Sequence, residues 1–158
     1  YKVFYVSVYK RPQYLNRKTL LGLIMRYIHR ITIMNIRKPV QKNVNQELQW
    51  LGSSLGLFNL RDKDKSCFRV FIELIKNAKK GIPLSSDELA DRLGLSRGTV
   101  VHHLNKLLDS GIIIQAHRGY ILRVDNLRKL IDEVEKDLRR TCDDLRSMAK
   151  EIDDSLGL

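Results

Sequence analysis

Apolar residues along the chain fall into blocks of different period, and the blocks sort into a small helical head followed by one long helix. Phe68, Phe71, Ile72 and Ile75 recur at helical spacing, and Gly81 with Pro83 ends that run. Ser85 or Ser86 then supplies an N-cap, and if Ser85 caps, Glu88 stands three residues on, the arrangement of a capping box. It predicts a short helix over 87–93 that stops at Gly94. Ser96 caps a third helix through Val100, Leu104, Leu107 and Leu108, with a stop at Gly111. Two short helices separated by Gly94-Leu95-Ser96 predict a helix-turn-helix, because so tight a turn needs a small residue and the apolar positions lock the pair at a steep angle.

The period then changes. Ile112, Ile113 and Ile114 form a continuous β-branched run, Gln115 to Gly119 is polar with a turn glycine, and Tyr120, Ile121 and Leu122 resume the apolar character, which predicts a β-hairpin, the wing of a winged helix. Beyond Asp125, read as an N-cap, the positions Leu127, Ile131, Val134, Leu138, Thr141, Leu145, Met148, Ile152 and Ser155 alternate steps of four and three. That heptad predicts a coiled-coil seam. At ~1.5 Å per residue the helix would reach ~45 Å, too long to bury its stripe on so small a head, so a second copy is the expected partner.

The first third of the chain is less regular. Residues 3–9 have strand composition and 18–33 have helix-like apolar spacing, with Arg26 and Arg30 at i, i+4. The alternative reading is that 1–33 are a disordered or artefactual extension: the chain opens on Tyr1 in place of a Met, which reads as a fragment or a start assigned too far upstream, with Met34 the other candidate start. A polar linker is placed at 39–45. The short apolar piece 48–60, with Trp50 as a core or interface anchor, is expected to pack on the head or on the dimer partner.

The expected organisation is therefore a basic N-terminal extension at 1–46, an apolar connecting segment at 47–63, a winged helix domain at 64–124 and a dimerisation helix at 125–158. The fold class is mainly α with a small β-hairpin: a winged helix-turn-helix head plus a long C-terminal coiled-coil dimerisation helix.

Charge sharpens this division. The formal net charge is +11, yet residues 1–46 hold ten Lys or Arg and no acid, against nineteen basic and eighteen acidic groups in the remainder. A basic arm suits a phosphate backbone or an anionic membrane surface. The two cysteines, Cys67 and Cys142, lie in no CxxC or Cys/His cluster, so no disulfide scaffold or zinc site is encoded, and a reducing cytoplasm is the expected location. Arg26, His29 and Arg30 interrupt the most apolar stretch, 20–34, so no transmembrane helix is predicted, and the apolar run 20–24 is too short for a secretion signal. No phosphate loop, paired-carboxylate site, nucleophile elbow or HExxH pattern is present, so no enzyme activity, no catalytic residue and no cofactor is expected.

The run Leu89-Ala90-Asp91-Arg92-Leu93-Gly94-Leu95-Ser96-Arg97-Gly98-Thr99-Val100-Val101-His102-His103-Leu104, followed by Leu107-Leu108-Asp109-Ser110-Gly111-Ile112-Ile113, resembles the ArsR-type winged helix regulators, and the chain from Leu51 onward resembles an archaeal subgroup of them. The resemblance covers about two thirds of the chain. It implies a homodimer on a two-fold DNA operator, with the third helix in the major groove and the hairpin over the backbone or minor groove. One feature of the family is missing. Metal-sensing members carry a cysteine pair near the DNA-binding helix or Asp and His ligands on the terminal helix, whereas 89–97 hold no Cys and 125–158 no His, so no metal site is expected.

With Val100, Leu104 and Leu107 turned to the core, Arg97, Thr99, Val101, His102 and Lys106 lie on or beside the opposite face. Arg97 suits guanine, Val101 a thymine methyl, and Ser96, Thr99 and Lys106 phosphates. His102 is assigned to DNA and His103 is expected half-buried. The two rings point about 100° apart and cannot share a metal. His117 and Arg118 at the hairpin turn suit phosphate or a narrow minor groove, or are simply solvated. The seam is assigned to Leu127, Ile131, Val134, Leu138, Leu145, Met148 and Ile152. The function these readings converge on is sequence-specific binding of double-stranded DNA by a homodimeric transcriptional regulator, helix 96–110 reading the major groove and wing 112–123 the backbone or minor groove. The alternatives are a winged helix that assembles proteins without reading DNA, and general chromatin or RNA binding through the basic arm.

Overall fold

The computed structural model describes residues 3–9, 28–40, 43–58 and 65–158. Strand β1 (Val3–Tyr9) pairs antiparallel with β2 (Ile28–Met34), Val3 opposite Met34 and Tyr9 opposite Ile28. The strand composition of 3–9 is matched by a strand. The helix expected over 18–33 is not found from residue 28 onward: Ile31 and Ile33 alternate with Arg30 and Thr32, and a period of two wins where β-branched residues can face a core. The rest of that expectation, 18–27, lies outside the described residues.

Helix α1 (Val44–Ser54) follows, capped by the Asn43 side chain, which accepts a hydrogen bond from the Asn45 backbone N–H. It runs across the expected division between 46 and 47. Trp50 anchors it to the segment just after β2 by donating its indole N–H to the Ile36 carbonyl at 3.0 Å. Ile31 joins the core of the head, so this strand packs on the domain it precedes.

The head itself is α2 (Ser66–Ala78), α3 (Ser86–Leu93), α4 (Arg97–Asp109) and the hairpin β3 (Ile113–Ala116) and β4 (Gly119–Leu122). Val70, Phe71 and Leu74 of α2 pack with Leu89 of α3, with Val100, Leu104 and Leu107 of α4, and with Ile113 and Leu122 of the hairpin. Leu84 closes the β layer, exchanging two backbone hydrogen bonds with Tyr120 at 2.9 and 2.8 Å. Gly119 permits that approach, since a Cβ there would lie 2.4 Å from the Leu84 carbonyl oxygen.

Helix α5 (Leu127–Leu156) is thirty residues long. Its cap is Asn126, whose side chain accepts from the Lys129 N–H at 2.9 Å, not Asp125 as expected from the sequence. Asp125 instead pairs with Lys129 across the first turn at 2.8 Å. Among the described residues no helix is long and apolar enough to cross a membrane.

Candidate nucleic-acid interface

Helices α3 and α4 are positioned by caps at every end that meets the turn. The Ser85 hydroxyl accepts from the Glu88 N–H at 3.1 Å, and the Glu88 carboxylate accepts from the Ser85 N–H at 2.7 Å, so the capping box is closed. Hydrogen bonding to the carboxylate from Ser85, its backbone N–H first and its hydroxyl second, holds the Glu88 carboxyl below its ordinary value of 4.5, with a smaller contribution from Arg92. Gly94 takes a φ of 59°, a left-handed turn that a side chain would strain, and the chain re-enters helix three residues later. Ser96 accepts from the Thr99 N–H at 3.1 Å, and the two hydroxyls lie 2.8 Å apart. Arg92 pairs with Glu73 at 3.1 Å and the Arg69 guanidinium donates to the Leu93 carbonyl, so the C-terminal end of α3 is tied to α2 by two contacts.

The inner face of α4 carries Val100, Leu104 and Leu107, as the spacing requires, together with His103. The His103 ring is buried more deeply than expected, its Nε2 2.7 Å from the Ser66 hydroxyl. On the outer face Arg97, Gly98, His102 and Asn105 are exposed, with Thr99 and Val101 half-buried at the margins. Ser96 is exposed, but its hydroxyl and that of Thr99 are engaged in the cap. Arg97 Nε lies 2.9 Å from Asp87 Oδ1, with about two thirds of each side chain in solvent (70% and 66% exposed). An exposed pair of this kind contributes ~0–1 kcal/mol and exchanges readily for another anion.

Residues 64–116 match a family of helix-turn-helix domains. No curated protein and no solved structure matches the chain. The matched helix-turn-helix covers α2, α3, α4 and the first strand of the hairpin, and the family connects it to DNA binding of the transcription-regulator type.

Lys106 sits elsewhere than expected for a phosphate ligand. Its ammonium donates to the Leu57 carbonyl at 2.7 Å, on the side of α4 that faces the end of α1. The Leu57 carbonyl stands beyond the end of that helix and draws both this ammonium and the Cys67 thiol, 3.3 Å away. Asn105 is an outward residue that the sequence-based assignment omits. It follows His102 by three and Val101 by four, so helical spacing alone could have found it. Its amide is the group best suited to adenine in a major groove. At the hairpin turn His117 and Arg118 are both exposed.

The assigned seam residues divide along α5. Val134 is buried in the core of the head and Leu127 packs beside it, while Leu130, outside the heptad, is fully buried. Ile131 is at the margin of exposure and Leu138 half-buried, whereas Leu145, Met148 and Ile152 are open to solvent. A buried ion cluster joins the wing to this helix: Arg123 reaches Asp137 at 2.5 Å and Glu133 at 3.2 Å. Among the described residues no group of three or more His, Cys, Asp or Glu side chains is gathered closely enough to hold a metal ion.

Proposed function

We propose that the protein is a sequence-specific double-stranded DNA-binding regulator of the ArsR-like winged helix kind, without enzymatic activity, acting as a homodimer. Helix α4 enters the major groove and the hairpin lies against the backbone or minor groove. The observation that carries this reading is the outward face of α4, where Arg97, His102 and Asn105 are exposed around Gly98. A helix inserted by that face brings a guanidinium, an imidazole and a carboxamide to the base edges with no apolar side chain to desolvate at its centre. Arg118 and His117 at the hairpin tip, and the exposed Arg37 and Lys38 before α1, supply positive groups for phosphates. Dimerisation through the open apolar stripe of α5 matches a two-fold operator.

A second reading, in which the head assembles proteins without reading DNA, is favoured by the acids near this face. Asp87, Glu88, Asp91 and Asp109 are all exposed. The two readings separate on one pair of substitutions. Arg97→Ala with Asn105→Ala should weaken binding to a selected duplex by roughly 1–3 kcal/mol for each base pair no longer read, about ten- to hundred-fold each. Both side chains are exposed, so urea unfolding should not change. Wild-type affinity in the double variant would remove the reading helix from the account and favour protein assembly.

A further inference from the structure

A cleft of about 330 Å³ opens between β2, the end of α1 and the last turn of α4. Its size lies in the range of small-molecule pockets. Its walls follow from two periodicities. Along β2, Arg30, Thr32 and Met34 fall at every second residue and line the cleft, while Ile31 and Ile33 between them turn to the core. Along α4, Lys106, Asp109 and Ser110 are three and four residues apart and share the opposite wall. Leu55 and Phe58 close the cleft with apolar surface.

The charges in it are not paired with one another. Among the described residues, Arg30, Lys106 and Asp109 take part in no ion pair within 4.0 Å, and the Lys106 ammonium is spent on a neutral carbonyl that satisfies one of its three donors. Arg30 thus stands across an apolar surface from Asp109, and Lys106 lies beside that carboxylate on the same wall, at the C-terminal turn of a helix, where the backbone carbonyls add negative potential. A simple anion would satisfy the cations and be repelled by Asp109 and the helix end. A simple cation would meet the reverse.

We propose that this cleft binds a small zwitterion of the α-amino-acid kind with an apolar side chain. Arg30 and Lys106 hold its carboxylate, Asp109 holds its ammonium, and Leu55, Phe58 and Met34 receive the side chain. The site concerns this cleft alone and stands whether or not α4 meets DNA.

The test is calorimetric titration of the full chain with leucine, methionine and phenylalanine, and with two analogues that each lack one charge, 3-phenylpropanoate and phenethylamine. At least one amino acid should saturate with a Kd near or below about 1 mM, and both analogues should bind roughly tenfold or more weakly. Arg30→Met should weaken the amino acid and 3-phenylpropanoate alike, whereas Asp109→Asn should weaken the amino acid and phenethylamine but not 3-phenylpropanoate. Both residues are exposed, so folding of these variants is expected, and a thermal melt of each checks it. Absence of saturation by all three amino acids up to about 10 mM would overturn the proposal. So would analogues that bind as well as the amino acid, or variants that bind as wild type.

Discussion

The two halves of α5 share one apolar period and have opposite surroundings. In the first half Leu130 and Val134 are buried against the head and Asp137 holds the buried Arg123, so this stretch is part of the domain. In the second half Leu145, Met148 and Ile152 are 64%, 55% and 49% exposed, and exposed i, i+3 pairs such as Arg146 with Asp143 keep the flanks solvated. A helix with an unpacked stripe of about fifteen residues is marginal in water. A heptad therefore reports which residues share a stripe, and the neighbour that the stripe meets is set by the rest of the fold.

The strongest consequence of this contrast falls in the first half. Leu130→Ala should destabilise the protein by about 3 kcal/mol, because the side chain is fully buried and its removal leaves a cavity. Met148→Ala, on the same helix, should change unfolding of the dilute protein by less than about 0.5 kcal/mol. Urea melts of the two variants check the pair, and equal losses would erase the distinction. Next comes Asp137→Ala, which removes the closer partner of Arg123, whose side chain is only 9% exposed. The loss should be about 3 kcal/mol, the lower end for a broken buried pair, because Glu133 remains 3.2 Å away.

In the second half the expected change is in association. Ile152→Asp should place a charge in the open stripe and shift sedimentation from dimer to monomer at micromolar protein, while the melt at low concentration stays as in wild type. A dimer that survives this substitution would mean that the stripe is not the seam.

A weaker effect is expected at the turn between α2 and α3. The Glu88 carboxyl is held below its ordinary 4.5 by hydrogen bonding from the Ser85 backbone N–H first and the Ser85 hydroxyl second. A lowered folded value means that this stabilisation is present above 4.5 and is lost as pH falls through the folded value. Glu88→Gln keeps a side-chain acceptor for the Ser85 N–H and removes the titration, so the variant should lose less stability than wild type as the solution is acidified from about pH 5. Parallel acid limbs in the two proteins would show that the box does not titrate with folding.

Much of the head was legible because its signals are local. Ser85 with Glu88, Gly94 with Ser96, and the change of period at Ile112 each specify a cap, a turn or a strand within a few residues, and each has its counterpart in the structure. What could not be read depends on partners far along the chain. Lys106 is drawn to a carbonyl forty-nine residues earlier, and Arg123 to carboxylates on a helix that by itself reads as a uniform coiled coil. Residues 28–33 carry apolar positions that fit either period, and the antiparallel pairing with β1 decides between them. Asn105 needed no distant partner, only the full helical arithmetic of the face it shares with His102.

Whether a dimer reads DNA with the outer face of α4 is best decided by selecting ligands for the full chain from a random duplex pool at moderate salt. An inverted repeat should be enriched, with half-sites about one helical turn, ~34 Å, apart, and the affinity for it should fall steeply as salt rises. A pool that gains no sequence after repeated rounds, or one whose enriched site is a single unrepeated half, would be incompatible with a dimeric reader.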